Sequence, residues 1–101
     1  MMREINALDQ IEKTGLAMTY IGTSWCPYCG KTTKAIAEVM PDHADVSLAK
    51  IDGDDEPDIL TEVGASTYPQ ILLHRDGQLV AQRESCDANE LRAWLADSGI
   101  A

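Results

Sequence analysis

Apolar and polar positions along the chain alternate between two rhythms. Ala17 to Gly22 is apolar almost throughout, as befits a strand buried on both faces. Val46 to Ile51 predicts a second strand. Gln70 to Arg75 and Gln78 to Arg83 predict two more, joined by Asp76-Gly77, a two-residue link that is the strongest short-range signal for a hairpin. Between these runs the spacing is helical. Ile5, Leu8, Ile11 and Leu16 predict an amphipathic helix over residues 4 to 16, ended near Gly15. Ile36, Val39 and Met40 predict a helix that continues from Cys29 and stops at Pro41. A short helix is expected after Asp54 or Asp55, either of which could cap it, with Pro57 near its first turn and Gly64 just past its end. Asp87 with Glu90 has capping-box spacing for a last helix whose Leu91, Trp94 and Leu95 face inward and which Gly99 ends. The expected order is α, β, α, β, α, β, β, α, with a parallel pair joined through a helix and an antiparallel hairpin at the end.

At 101 residues the chain has room for one core, so residues 1–101 are read as one domain. Its 45% hydrophobic and 25% charged composition is that of an ordinary globular protein. No apolar run is long enough for a membrane span, and the stretch from Met1 to Glu4 leads into no signal-like apolar segment. The expectation is a cytoplasmic monomer with no membrane partner. The net charge of −9 argues against nucleic acid, which needs basic patches. Much of the acid lies between Asp42 and Glu62, read as a solvated face, with a docking surface for a basic partner as the alternative.

Two of the three cysteines, Cys26 and Cys29, lie in Ser24-Trp25-Cys26-Pro27-Tyr28-Cys29-Gly30, where a strand gives way to a helix. Residues three apart at a helix start share a face about one turn apart, within the span of a disulfide. In a reducing compartment such a pair is catalytic or metal-binding more often than structural. Zinc wants four ligands, and no second Cys-x-x-Cys or His-x₃-His occurs, so no metal is expected. Cys26 at the helix tip is the expected nucleophile, because unpaired amides and the helix dipole there favour a thiolate. Cys29 is expected to resolve the mixed disulfide. Pro27 leaves the Tyr28 and Cys29 amides free to face the Cys26 sulfur, which favours the reduced form and a less negative potential. His43 and His74 have no visible partner.

The Trp25-Cys26-x-x-Cys29 motif, the Tyr68-Pro69 loop and the closing hairpin and helix together resemble the thioredoxin superfamily over nearly the whole chain. Val46 to Asp52, with Lys50, is similar to the thioredoxin strand V-A-K-x-N/D. Pro69 matches the cis-proline beside the active-site disulfide. The centre itself, Cys-Pro-Tyr-Cys, is the glutaredoxin version. Thr67-Tyr68-Pro69-Gln70 resembles the glutaredoxin T-V-P-Q loop, and Cys86-Asp87 resembles the end of its glutathione-binding segment. Departures are Thr23 for the frequent glutaredoxin lysine, Glu84-Ser85 for its paired glycines, Tyr20 for the buried thioredoxin aspartate, and Lys34 for a thioredoxin proline.

The resemblance implies an α/β thioredoxin fold: a central mixed sheet, parallel pair plus C-terminal antiparallel hairpin, flanked by helices. It implies a thiol-disulfide oxidoreductase working through a redox-active Cys26–Cys29 disulfide with no tightly bound cofactor. Trp25, Pro27, Tyr28 and Lys50 would support the site. Thr67, Tyr68, Pro69, Ser85, Cys86 and Asp87 would contact substrate. The implied partners are disulfide-bearing proteins, with a thioredoxin reductase-like enzyme as electron donor. The alternatives are a glutaredoxin-like reductase served by glutathione or another small thiol, and a non-catalytic binding module. Glu84 would oppose an anionic glutathione, Tyr20 is read as packing, and Cys86 as a small residue before a helix, a regulatory thiol or part of a small-thiol site.

Overall fold

Parallel pairing organises the first half of the chain and antiparallel pairing the second. The structure is a computed structural model and describes residues 2–100; Met1 and Ala101, the ends of the span read as one domain, lie outside the described residues. Its strands are β1 (Arg3–Ile5), β2 (Leu16–Gly22), β3 (Ser47–Asp52), β4 (Gln70–Arg75) and β5 (Gln78–Arg83), arranged β1-β3-β2-β4-β5. β3 runs parallel to both β1 and β2; β4 runs antiparallel to β2 and β5. The helices are α1 (Cys29–Val39), α2 (Ile59–Glu62) and α3 (Ala88–Asp97).

β2 is central because both of its faces are apolar. Side chains alternate across a strand. Met18 and Tyr20 therefore join Ile71 and Leu73 beneath α1 and α3, whereas Ala17 and Ile21 join Ile51, Leu72 and α2's Ile59 on the other face. Truncating a side chain as buried as Ile21 to Ala would cost about 2–5 kcal/mol. The hairpin turns at Asp76 (φ 50°) and Gly77 (φ 84°), the two positive-φ positions that a tight turn matching strand twist requires. Asp76 also ties the turn to the start of β2, accepting from the Gly15 N–H at 2.8 Å and donating its own N–H to the Gly15 carbonyl. At α3 the Asp87 side chain accepts from the Glu90 N–H and the Glu90 side chain from the Asp87 N–H, the expected capping box.

The helix expected over residues 4 to 16 does not form. Ile5 pairs with Ile51 in β1, a short edge strand, and only Leu8–Gln10 makes a 3₁₀ turn. The Asn6 N–H donates to Gln10 Oε1 and Gln10 Nε2 donates to Asn6 Oδ1, closing that turn. Ile5 and Ile11 are buried against the α2 side of the sheet, so the apolar spacing serves a sheet face rather than a helix stripe. Neither Asp54 nor Asp55 caps α2: its cap position is Asp58, which makes no side-chain cap bond.

Candidate active site

β2 ends at Gly22 in the middle of the sheet, and residues 23–28 cross its end before α1 begins. Cys29 is the first residue of α1 and is 5% exposed; Cys26 is half-buried, and Trp25, Pro27 and Tyr28 are exposed. The helix starts later than the sequence suggests. Its cap is Tyr28, so Pro27 precedes the first turn and Cys26 stands just outside the helix. The Cys29 N–H donates to the Cys26 carbonyl at 3.4 Å, closing a tight turn. That amide is therefore engaged by backbone and not free for the Cys26 sulfur as the sequence suggests.

Three elements meet at Cys29. Burial pushes its thiol up first, and the hydrogen bond with Cys26 adds to this; the Tyr20 hydroxyl and the Thr23 N–H pull the other way. Tyr20 comes from β2, where it pairs in register with Lys50 of β3. Its phenol is held far above the usual range, by burial first and then by the hydrogen bond to Cys29. The hydroxyl lies over Gly22, where any Cβ would overlap it. A cavity of about 240 Å³ opens here, lined by Tyr20, Thr23, Cys29, Lys50 and Asp52 among others. Lys50 thus reaches the site from behind.

Trp25 is 68% exposed yet fixed. Its Nε1–H donates to Asp54 Oδ1 at 2.8 Å, while Asp54 Oδ2 accepts from the Ser24 N–H at 3.0 Å and the Ser24 hydroxyl at 2.8 Å. These donors, the Ser24 N–H foremost, hold the Asp54 carboxyl below its ordinary range. The indole also meets the Tyr68 ring edge-on, centroids 5.7 Å apart at 87°. Tyr68 covers Gly53, whose missing side chain makes room for the ring. The Tyr68–Pro69 peptide bond is cis.

On the Cys26 side lies a groove of about 450 Å³, whose lining includes Trp25, Cys26, Tyr28, Thr67, Tyr68 and Glu84. Pro27 and Ser85 also line it, and among the described residues no Lys or Arg does. The Thr67 hydroxyl donates to Glu84 Oε1 at 3.3 Å. Pro69 is buried behind the groove. Two more of the residues expected at the groove do not line it either. Cys86 is fully buried in the core, its N–H donating to Thr32 Oγ1, and its thiol is raised chiefly by burial. Asp87 is spent on capping α3. Conversely, Asp54, which the sequence offers as a helix cap or as part of a solvated face, and Gly53, which it does not single out, belong to the site. The partners of Asp54, Ser24 and Trp25, lie about thirty residues away in sequence and Tyr68 lies about fifteen from Gly53, beyond any local pattern. A larger cavity of about 620 Å³ at the far end of α1, among Ile36, Met40, Pro41 and Val46, holds no thiol. No group of three or more His, Cys, Asp or Glu among the described residues could hold a metal ion, and no helix is long and apolar enough to cross a membrane.

Residues 6–97 match the family model described as Thioredoxin. Protein disulfide-isomerase of Gallus gallus is 30% identical over 78 residues, which cover 70% of this chain and 15% of that protein, so the chain spans a small part of that relative. Thioredoxin of Listeria monocytogenes is 25% identical over 83 residues, covering 79% of this chain and 81% of that protein. In fold, the chain is similar to mitochondrial thioredoxin 3 of Saccharomyces cerevisiae in its oxidized form, with a TM-score of 0.81 at 22% identity over 95% of this chain and 94% of that one.

Proposed function

We propose, on the premise that this chain belongs to the thioredoxin family, that it reduces protein disulfides by dithiol exchange. The observation that carries this reading is the asymmetry of two adjoining thiols: Cys26 in an open groove, Cys29 buried behind it. Cys26, as thiolate, attacks one sulfur of a substrate disulfide. The substrate S–S bond breaks, and its electron pair leaves on the second sulfur, which takes a proton. Cys29 then loses its proton and attacks Cys26 Sγ; the Cys26–substrate bond breaks, and the substrate sulfur leaves as a thiolate that water protonates. The product is a Cys26–Cys29 disulfide, which a thioredoxin reductase-like enzyme or a small thiol returns to the dithiol. No other cofactor is needed, and the cycle suits a reducing compartment such as the cytoplasm.

Trp25, Tyr28, Thr67, Tyr68 and Ser85 form the walls against which a peptide would lie, with Pro27 at the rim. Glu84 supports protein disulfides over glutathione. Among the described residues it is the one Asp, Glu, Lys or Arg lining the groove, and a like-charged ligand beside it is disfavoured. The test is trapping with Cys29→Ser alongside paired turnover assays with thioredoxin reductase and with glutathione. Protein adducts on Cys26 and faster turnover with the reductase are expected. Glutathione adducts alone, with efficient deglutathionylation, would reverse the choice of donor. A biological role that survives Cys26→Ser would identify a binding module instead.

A further inference from the structure

Tyr20 takes no part in the exchange proposed above, although its side chain and Cys29 line one cavity. It is 3% exposed, and a phenol needed only for bulk could be a phenylalanine; a buried hydroxyl costs free energy unless it is bonded. Two features of the chain keep that hydroxyl where it is. Gly22 leaves the space it occupies, and the register of β2 against β3 sets it beside Lys50 in the cavity that borders Cys29. We infer that Tyr20 is a catalytic residue of the second step, donating its O–H to Cys29 Sγ and stabilising the thiolate that attacks Cys26.

The inference rests on the exchange chemistry proposed above. Tyr20 transfers no proton. Its phenol stays neutral because burial and the adjoining sulfur both disfavour the phenolate, so it is a donor and not a base. The Cys29 proton passes to water in the cavity behind it, and the electron pair left on Cys29 Sγ forms the bond to Cys26 Sγ. The groups that face Cys29 are Tyr20 from β2, the Thr23 N–H and Cys26 from the loop, Lys50 and Asp52 from β3 across the cavity, and Tyr68 from the cis-proline loop. Of these, Tyr20 and the Thr23 N–H are the two that lower the Cys29 thiol by hydrogen bonding.

The test separates the two steps with 5,5′-dithiobis(2-nitrobenzoate) as the oxidant. Attack by Cys26 releases one thionitrobenzoate, and attack by Cys29 on the mixed disulfide releases the second. Tyr20→Phe is expected to leave the first release unchanged, to slow the second and to move its pH midpoint upward. With a nucleophilicity exponent of about 0.4–0.5, each tenfold weakening of the thiol's acidity slows attack about 3- to 4-fold below the midpoint. Incorporating 3-fluorotyrosine at position 20 preserves the packing and strengthens the donor, so it is expected to move the midpoint downward. An unmoved second release in both variants would overturn the role of Tyr20 and leave the exchange intact. A second release that persists in Cys29→Ser would overturn both readings.

Discussion

Gly53→Ala puts a methyl group where the Tyr68 ring now lies. An ideal Cβ on Gly53 would stand 2.5 Å from Tyr68 Cε1 and 2.6 Å from its Cζ and hydroxyl oxygen. Carbon atoms settle at roughly 3.5–4.0 Å, so the ring must retreat by about 1 Å. That movement opens the edge-on contact with Trp25, worth about 0.5–1.5 kcal/mol. Overpacking of this kind costs about 1–3 kcal/mol in all. Against it stands a gain of about 0.4–1 kcal/mol from a stiffer unfolded chain, since Gly53 is not at positive φ. The net expectation is a destabilisation of up to about 2.6 kcal/mol, with each kcal/mol lowering Tm by about 4–8 °C for a domain of this size. Urea unfolding of four proteins measures it: wild type, Gly53→Ala, Tyr68→Ala and the double variant. Without the ring the methyl group has space, so Gly53→Ala is expected to stabilise the Tyr68→Ala background by about 0.4–1 kcal/mol. The same penalty in both backgrounds would show that the ring is not what Gly53 accommodates.

Three further outcomes follow from the site. Cys86→Ala is expected to leave disulfide reduction unchanged, and in the native wild type Cys86 is expected to resist alkylation until the chain unfolds, because its thiol is buried and raised; rapid native labelling would place it back in the groove. Asp54 has a lowered carboxyl pKa, so its contribution to holding the loop is complete above its ordinary value of 3.8 and is lost as pH falls through the lower folded value. Trp25 fluorescence in a Trp94→Phe background should therefore hold steady down to 3.8, and a transition above that value would refute the tether. Redox equilibration with glutathione is expected to give a potential less negative than the roughly −270 mV of thioredoxin, and a lower value would remove the argument from Pro27 and the Tyr28 amide.

What could be read from the sequence was local. Asp76-Gly77 specifies its hairpin within two residues, Asp87 and Glu90 cap α3 within one turn, and Cys26 and Cys29 show redox spacing without reference to anything distant. The spacing of Ile5, Leu8 and Ile11 suggests a helix, but an edge strand and a 3₁₀ turn satisfy it equally well. The decision belongs to β3, far along the chain, whose open edge accepts β1. Burial depth was equally hidden: the letters Cys86-Asp87 suggest a ligand site, yet Cys86 sits under Thr32 and Asp87 turns to the helix end. Tyr20 reads as packing, and it does pack in the core. Only the register of β2 against β3 and the start of α1 bring it to the cavity that Cys29 also lines.

The hydrogen bonds from Ser24 and Trp25 to Asp54 bear on any effort to reshape the surface charge of this protein. The acidic stretch between Asp42 and Glu62 looks like a set of interchangeable carboxylates, open to replacement by lysine to suit a different solvent or partner. Asp52, in the cavity beside Cys29, is one exception, and Asp54 is the sharper one. Reversing its charge would let go of the indole beside Cys26, so a change made for solubility is expected to surface as a change in substrate turnover.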